Sequence, residues 1–331
     1  MKTNKHFFTS LFLLACITGM IFAISSCKKD SDNSYAYKYV IGILTFGSDD
    51  YYTIDTTITF TATVNITQPI SMDSITVTWV GVNLAPQMVS GTSYEVRLPS
   101  DTGAYSISLV ASADNYTNLS NTHTFNMISP VFSETVKGLP AVSNTFTDPR
   151  DGEEYPYKTI GNLQWFVRNL NWAGSGRTYK DQFAYGIIFG RYYSWEEVDA
   201  GVCPPGWHVP TNADWEDLGE ALNDGTPVSF TDIWNELGKK ATVDAKLLGS
   251  SMWTYDPINR KENTVEWNAI PSGGIFNNIS RDSFSYAYWW SATEYDATTA
   301  YYRYIMGTNA AFYVNYADKT NVYFPVRCVQ D

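Results

Sequence analysis

Apolar and polar residues alternate along several stretches in the first half of the chain. At residues 57–64 every second residue is apolar, and the pattern recurs in four further stretches, at residues 74–80, 94–98, 105–110 and 122–128. A period of two predicts a β-strand with one buried face. Turn-forming pairs such as Ser90-Gly91 separate the stretches. We therefore expect a β-sandwich over residues 36–130.

The second half contains one clear helical pattern. Its apolar residues recur at intervals of three and four, at Trp215, Leu218, Ala221 and Leu222. This spacing gives a helix one buried face. Thr211 precedes the run and can cap the helix, and Asp214 falls in the first turn, where its charge favours the helix dipole. We expect a helix that begins near Asn212.

Composition separates the two halves of the chain. Of the eleven tryptophans, ten follow residue 160. This break indicates two different architectures, with a linker at residues 131–139 and a second domain at 140–331. The expected fold class is mainly β, with an α+β C-terminal part. The formal net charge is −12, which argues against nucleic acid as a partner, because phosphate binding needs clustered Lys and Arg.

The first 26 residues have the layout of a secretory signal peptide. Two lysines precede a mostly apolar stretch at residues 7–24, and Cys27 follows two serines. A transmembrane anchor is the alternative, because the stretch approaches the roughly 18 residues that begin to span a bilayer. The Ile-Ser-Ser-Cys sequence at 24–27 resembles the bacterial lipobox. The resemblance implies that Cys27 is lipidated and becomes the first residue of the mature protein.

A flexible, lipidated tether is expected at residues 27–35, because residues 28–34 contain no apolar side chain and have nothing to bury. Its start, Lys28-Lys29-Asp30, resembles the signal that sends Bacteroidetes lipoproteins to the outside of the outer membrane. An ordinary linker is the alternative. The resemblance implies a protein that is lipid-anchored in the outer membrane and faces the extracellular side.

Within the sandwich, the pattern Asp101-x-Gly103-x-Tyr105 resembles the tyrosine corner of immunoglobulin-like domains. Trp79 lies where such domains carry a core tryptophan. The resemblance implies an immunoglobulin-like sandwich, and we expect it to act as a spacer. His123 alternates with threonines along a strand and is expected at the surface.

A series of motifs occurs in the second domain: Ile-Gly-Asn-Leu-Gln-Trp at 160–165, Gly-Arg-Tyr-Tyr-Ser-Trp at 190–195, Cys-Pro-Pro-Gly-Trp-His-Val-Pro at 203–210, Asn-Ala-Ile-Pro-Ser-Gly-Gly at 268–274, Tyr-Trp-Trp-Ser-Ala-Thr-Glu at 288–294 and Val-Arg-Cys-Val at 326–329. In this order, over roughly 180 residues, they resemble the Fibrobacter succinogenes major paralogous domain. That family is similar to the C-type lectin-like fold, which we therefore expect here.

Cys203 and Cys328 are the two cysteines that remain after the signal segment and Cys27. In an exported protein such a pair is most simply a disulfide, and two free buried thiols are the alternative. The resemblance also implies the bond, because C-type lectin-like domains close with one between the first helix region and the last strand. The calcium-binding loop motifs of lectins are not found in this domain, so we expect no metal and no cofactor.

Aromatic residues of the second domain are the candidates for ligand binding. Exposed Tyr and Trp rings suit sugar rings and protein hot spots. The alternative for any one of them is core filling, since Trp289 and Trp290 cannot both face one side of a strand. The candidate residues are Trp289, Tyr302, Tyr304, Tyr313, Asn315 and Tyr316.

No residue pattern singles out a catalytic group. His208 is expected to be structural, with hydrogen bonds under the following helix. A glycosidase pair could lie among the carboxylates, which include Glu196, Glu197, Asp199, Asp214, Glu216, Asp217 and Glu294, because its geometry comes from the fold. We expect a non-catalytic surface module for a glycan or protein ligand. The alternatives are a structural component of a surface or fimbrial assembly and a hydrolase with an unrecognised carboxylate site.

Overall fold

The computed structural model describes residues 38–39, 42–46, 48–66, 75–82, 84, 88–114, 116–254 and 261–331. The predicted signal peptide, Cys27 and the tether all lie outside the described residues. Strands predominate in the described part, as predicted. None of the helices found there is both long and apolar enough to cross a lipid bilayer.

The N-terminal domain consists of short and long strands: β1 Lys38–Tyr39, β2 Gly42–Phe46, β3 Tyr51–Thr53, β4 Thr57–Ile66, β5 Thr76–Val82, β6 Met88–Ser90, β7 Ser93–Arg97, β8 Gly103–Ser112, β9 Tyr116–Thr117 and β10 Leu119–Ile128. One sheet has the order β3-β10-β8-β5-β6 and a second has the order β2-β4-β7. Each of the five predicted stretches overlaps a strand.

Both sheets contribute side chains to one hydrophobic core, so the domain is a β-sandwich. Trp79 on β5 is fully buried, and its ring stacks on that of Tyr94 from the other sheet, with centroids 6.0 Å apart. The Tyr105 hydroxyl donates to the Asp101 carbonyl at 3.0 Å. His123 is half-buried.

The C-terminal domain has fifteen strands in the described residues: β11 Val136–Lys137, β12 Thr145–Thr147, β13 Glu154–Ile160, β14 Leu163–Phe166, β15 Tyr193–Ser194, β16 Trp207–His208, β17 Lys246–Leu247, β18 Ser250–Ser251, β19 Gly274–Phe276, β20 Ile279–Arg281, β21 Tyr286–Glu294, β22 Thr299–Met306, β23 Phe312–Asp318, β24 Val322–Phe324 and β25 Val329–Gln330. The helices are α1 Phe132–Thr135, α2 Phe183–Phe189, α3 Trp195–Asp199, α4 Asn212–Leu222 and α5 Leu237–Ala241, with a 3-10 helix at Tyr179–Asp181.

These strands form four small sheets. Their orders are β11-β17-β18, β12-β13-β14-β25-β16, β15-β24-β19-β20 and β21-β22-β23. The short strands and helices are joined by long connections, so much of this domain forms no β-sheet hydrogen bonds. Bulky aromatic side chains therefore fill the cores, and seven of the tryptophans in this domain are at most 2 % exposed: Trp165, Trp215, Trp234, Trp253, Trp267, Trp289 and Trp290.

Helix α4 begins at the predicted residue. Thr211 accepts a hydrogen bond from the Asp214 amide, and the Asp214 carboxylate accepts one from the Thr211 amide, which completes a capping box. Trp215, Leu218 and Leu222 are buried, and Ala221 is half-buried. The helix prediction is confirmed.

Cys203 and Cys328 form the predicted disulfide, with their Cα atoms 5.9 Å apart and 125 residues between them in sequence. The bond joins the loop before β16 to the residue before β25. The Phe166 amide of β14 donates to the Cys328 carbonyl at 2.9 Å. The two ends of the domain are therefore held to the same sheet.

Residues 131–139, predicted as a linker, are built into the second domain. They contain helix α1 and strand β11, and β11 pairs with β17 through Val136 and Leu247. The Phe132 ring lies under the guanidinium of Arg168 at 4.3 Å. The segment between the domains is thus packed structure, because its apolar residues find partners in the C-terminal domain.

The two domains also meet through Asp50, which precedes β3. Its carboxylate accepts hydrogen bonds from Lys180 at 2.6 Å and from the Tyr185 hydroxyl at 3.0 Å. The Tyr51 ring packs edge-on against Tyr185, with centroids 5.2 Å apart. Burial, together with the nearby Asp50 charge, raises the pKa of Tyr185 well above the ordinary value of a tyrosine.

Removing the disulfide should destabilise the C-terminal domain. Replacing both Cys203 and Cys328 with alanine restores the entropy of a loop of 125 residues to the unfolded chain, at a cost of about 5 kcal/mol. Denaturant unfolding of the oxidised wild type and the double variant measures the loss. Dithiothreitol should lower the wild-type midpoint to that of the variant and leave the variant unchanged. Equal midpoints in oxidising buffer would contradict the prediction.

Stability should fall above pH 10. The unfolded chain releases the Tyr185 proton near pH 10, whereas the folded chain retains it because its pKa is raised. The contribution of the hydroxyl is therefore complete below about pH 10 and is lost as the pH rises above it. Urea midpoints from pH 8 to 11 test this. Tyr185→Phe should reduce the fall of the urea midpoint with pH. The reduction should be partial, because burial also raises the pKa of the Tyr192 and Tyr193 hydroxyls, which remain in the variant. An unchanged slope in the variant would contradict the prediction.

Candidate functional site

The sheet β21-β22-β23 has two faces, and strand alternation divides the candidate residues between them. In the register of the sheet Tyr304 lies opposite Tyr288 and Tyr313, and Tyr302 lies opposite Asn315. Opposite residues share a face, so the candidates Tyr302, Tyr304, Tyr313 and Asn315 lie together. Trp289 and Tyr316 are on the other face.

Five tyrosines contact one another on the first side of this sheet: Tyr286, Tyr288, Tyr302, Tyr304 and Tyr313, here called the tyrosine face. Tyr288 and Tyr302 are buried, at 6 % and 9 % exposed, and form its base. The rings of Tyr304 and Tyr313 stack with centroids 5.1 Å apart, and those of Tyr286 and Tyr288 stack at 5.8 Å. Tyr288 and Tyr304 join the two pairs at 5.8 Å. Tyr286, Tyr304 and Tyr313 are half-buried, so their rings are both supported and open to solvent.

The border of the tyrosine face is polar. Asp282 accepts a hydrogen bond from the Tyr288 hydroxyl at 3.0 Å, and Arg281 lies 4.0 Å above the ring of Phe276. Asn315 is exposed at the other end. Burial, with a smaller effect from Tyr313, raises the pKa of Tyr304. At neutral pH the Tyr304 hydroxyl is therefore protonated, so it can both donate and accept a hydrogen bond.

Trp289 is not available to a ligand, contrary to its selection as a candidate. It is 0 % exposed, its Nε1 donates to the Asn169 side chain at 2.9 Å, and its ring packs edge-on against Trp267. Tyr302 is 9 % exposed and supports the tyrosine face from below. Both residues therefore belong to the hydrophobic core, in agreement with core filling, the alternative interpretation of these aromatic residues.

Tyr316 lies on the opposite face with a different neighbour. Its ring stacks on that of Tyr295 at 4.1 Å and an interplanar angle of 3°, and each ring is 48 % exposed. Tyr316 is therefore solvent-accessible but separate from the other candidates.

A buried polar hub explains several of the motif residues. The Asn169 side-chain oxygen accepts hydrogen bonds from Trp289 and from the Arg327 Nε at 3.0 Å, and its amide donates to the Phe189 carbonyl at 2.8 Å. The Arg327 guanidinium also donates to the carbonyl of Asn268 at 2.8 Å. Burial lowers the pKa of Arg327 to about 9, so the side chain is still cationic at neutral pH.

The Gly-Asn pair of the motif at 160–165 is required by its contact with α4. Gly161 has a φ of +64°, and a Cβ there would lie 2.2 Å from the Asp217 carboxylate. The same carboxylate accepts a hydrogen bond from the Asn162 amide at 2.9 Å. Only glycine allows this approach, so the Gly-Asn turn has a structural role.

His208 is held between two carboxylates. Its Nε2 lies 3.2 Å from Asp214 in the first turn of α4, and its Nδ1 lies 2.8 Å from Asp331. Both ring nitrogens are thus engaged in hydrogen bonds, in keeping with the structural role expected for this residue under the helix. Across the described ranges, no group of three or more His, Cys, Asp or Glu side chains is arranged to hold a metal ion.

Several of the carboxylates considered for hydrolysis have structural partners. Glu197 accepts from the Gly176 amide at 2.6 Å and from the Ser194 amide at 2.7 Å. Glu216 accepts from the Phe230 amide at 2.7 Å. These bonds cap helices and hold loops, so the two side chains stabilise the fold.

Two members of the tyrosine face, Tyr286 and Tyr288, were missed by the sequence reasoning. The signal was present, because Tyr286, Tyr288 and Trp290 alternate along one strand and must share a face. What the sequence lacked was the register that places them beside Tyr304.

Comparison with protein-family models gives one match, the Fibrobacter succinogenes major domain, over residues 158–330. No curated protein matches the sequence. The matched region contains α2 to α5, β14 to β25 and the hub around Asn169, and it covers more than half of the chain. The protein therefore belongs to the Fibrobacter succinogenes major domain family.

Proposed function

We propose that this protein is a surface lipoprotein whose C-terminal domain binds a glycan or protein ligand through the tyrosine face, without catalysis. The observation that carries the proposal is the pair of stacked, half-buried rings of Tyr304 and Tyr313, 5.1 Å apart, which the buried ring of Tyr288 backs at 5.8 Å. Adjacent aromatic rings that are open to solvent are unusual on a protein surface, because a contiguous apolar patch normally serves an interaction.

Tyrosine suits this role for two physical reasons. Its ring offers a flat apolar face to the C–H groups of a sugar or to an apolar side chain, and its hydroxyl offers a hydrogen bond at the edge. It also has only two side-chain torsions, so little conformational entropy is lost on binding. In the tyrosine face the ring contacts already fix these torsions, which lowers the cost further.

We assign the C-terminal domain to the C-type lectin-like fold. Support comes from the disulfide that ties the region before α4 to the last strands, and from the small sheets joined by long connections. We likewise assign the sandwich to the immunoglobulin-like class, supported by the Tyr105–Asp101 hydrogen bond and the buried Trp79. In this arrangement the sandwich spaces the binding domain from the membrane.

The anchor in this proposal is Cys27. A diacylated cysteine inserts many methylenes into the bilayer, each adding about 0.8 kcal/mol of membrane affinity, so attachment is effectively permanent. The tether at 27–35 then connects the lipid to the sandwich at the extracellular side of the outer membrane. The support is the position of the cysteine directly after the apolar stretch.

Truncating the tyrosine face should abolish ligand binding. The full-length protein, purified in a detergent without a sugar headgroup, is applied to a glycan array, and bound partner proteins are sought by crosslinking on cells. Tyr304→Ala with Tyr313→Ala should lower the signal at least about tenfold, the effect of removing two aromatic anchors.

Tyr316→Ala is the matched control, because this residue is on the same strand as Tyr313 and on the opposite face. It should leave binding unchanged. Equal loss in both variants would contradict a ligand site on the tyrosine face. Stable oligomers with no ligand signal would favour the structural-assembly alternative, and polysaccharide turnover would favour the hydrolase.

Replacing Cys27 with serine should release the protein from membranes, because serine cannot form the thioether that carries the lipid. Fractionation of producing cells and mass measurement of the wild-type N-terminus test this. Cys16→Ser is the control and should remain membrane-bound and acylated. A wild-type protein without acyl mass would refute the anchor.

A further inference from the structure

A cleft of about 710 Å³ lies at the junction of the two domains. Tyr51, Thr102 and Asn126 line it from the sandwich, and Leu248, Ser250 and Phe284 line it from the C-terminal domain. Its volume falls within the range of about 300–1,000 Å³ that is usual for small-molecule sites. The contacts of Asp50 and Tyr185 hold the two walls together, so the cleft is a formed feature of the folded chain.

The described lining of the cleft contains no charged residue. Its eleven described lining residues include neither Asp, Glu, Lys, Arg nor His, although the chain as a whole has a formal charge of −12. The nearest cation named by a contact is Lys261, which bonds the lining residue Ser251 at 3.0 Å and is paired with Asp244 at 2.8 Å. An anion entering this cleft would lose its hydration and would have to compete with Asp244 for Lys261.

Leu248 occupies a strained position at the rim of the cleft. Strands β17 and β18 form a hairpin with a two-residue turn, in which Leu248 has a φ of +48° and Gly249 a φ of +82°. A turn with two positive φ angles strongly favours Asn-Gly, Asp-Gly or Gly-Gly. Leucine is disfavoured there, and its side chain is 41 % exposed, so burial does not compensate for the strain.

Phe284, on the neighbouring wall of the cleft, is a second apolar residue with a positive φ. Its φ is +64°, and its carbonyl accepts two hydrogen bonds from Thr254, through the amide at 2.8 Å and the hydroxyl at 2.6 Å. The ring is half-buried and packs edge-on against Phe189 at 5.3 Å. Two apolar side chains in left-handed backbone conformations therefore line one cleft, and such strain is concentrated at functional sites.

Polar groups face the apolar ones across the cleft. The side chains of Thr102 and Asn126 form no hydrogen bond to any part of the chain that the structure describes, so they are available to a ligand. Together they supply hydroxyl and amide groups that can donate and accept. The Tyr51 and Phe284 rings supply flat apolar surface.

We propose that this cleft binds a neutral saccharide. An uncharged ligand with many hydroxyls on a ring matches a lining whose described residues combine amide and hydroxyl groups with aromatic rings and include no charged side chain. A peptide bound by strand addition would need a long open strand edge, and the edge strands that line the cleft, β3 and β18, are only three and two residues long. The site is distinct from the tyrosine face and does not depend on it.

Calorimetric titration of the full-length protein tests the site directly. The background carries Tyr304→Ala and Tyr313→Ala, so that loss of the tyrosine face cannot be confused with loss of the cleft. Glucose, galactose, lactose and cellobiose are the neutral probes, and glucuronic and galacturonic acids are the charged ones. At least one neutral sugar should bind, and its uronic acid counterpart should bind about tenfold more weakly or worse.

Ser250→Trp fills the cleft from an exposed hairpin position and should lower the affinity by about tenfold or more. Ser93→Trp, an exposed serine on the sandwich strand β7, is the matched control and should bind normally. Binding that survives Ser250→Trp, or the absence of binding by every neutral probe, would overturn the proposal.

Leu248→Asn separates a binding role from a structural one. Asparagine fits the turn better than leucine, so the melting temperature should rise, while the affinity for the sugar should fall roughly threefold to tenfold with the lost apolar contact. A variant that is more stable and binds equally well would show that Leu248 does not contact the ligand and would remove the main support for the site.

Discussion

The buried guanidinium of Arg327 is the interaction on which the C-terminal domain depends. It has no carboxylate partner within the described ranges and instead donates to the Asn169 side chain and to the Asn268 carbonyl. Its carbon lies 4.2 Å above the ring of Trp267. A buried charge is tolerated only when its hydrogen bonds are satisfied, so the elements that supply these acceptors have to come together. Several motif residues are thereby tied to one requirement, which is to supply acceptors for the Arg327 guanidinium. The disulfide follows directly, at Cys328.

The hub also determines which face of β21 each aromatic residue occupies. Trp289 donates to Asn169, so the alternation of β21 forces Tyr288 and Trp290 to the reverse side. Trp290 and Tyr288 both pack on Phe324, and Tyr288, itself buried, backs the half-buried rings of Tyr304 and Tyr313. Strand β21 is thus buried on both faces over residues 287–291, and the candidate surface begins on the next strand, at Tyr304. The tyrosine rings are held in position by a sheet whose back is fixed to the most buried part of the domain.

Local patterns in the sequence were sufficient for much of this structure. Period-two alternation located the sandwich strands, and Thr211 with Asp214 located the start of α4, because each signal acts within a few residues. Because Trp289 and Trp290 are consecutive in one strand, the sequence showed that they face opposite sides of the sheet. It did not show which residues each of them contacts. The domain junction was missed for the same reason: Asp50 meets Tyr185 across 135 residues, and no local pattern reports such a contact. Residues 131–139 show the same limit, since the pairing of β11 with β17 is a tertiary contact.

That pairing has a mechanical consequence. The chain that leaves the sandwich enters the second domain as a strand of its sheet, and the Asp50 contacts add a second attachment. The two units should therefore tumble in solution as one body rather than as two freely jointed ones. A force applied across the two domains would load the backbone hydrogen bonds between β11 and β17 together with the Asp50 contacts.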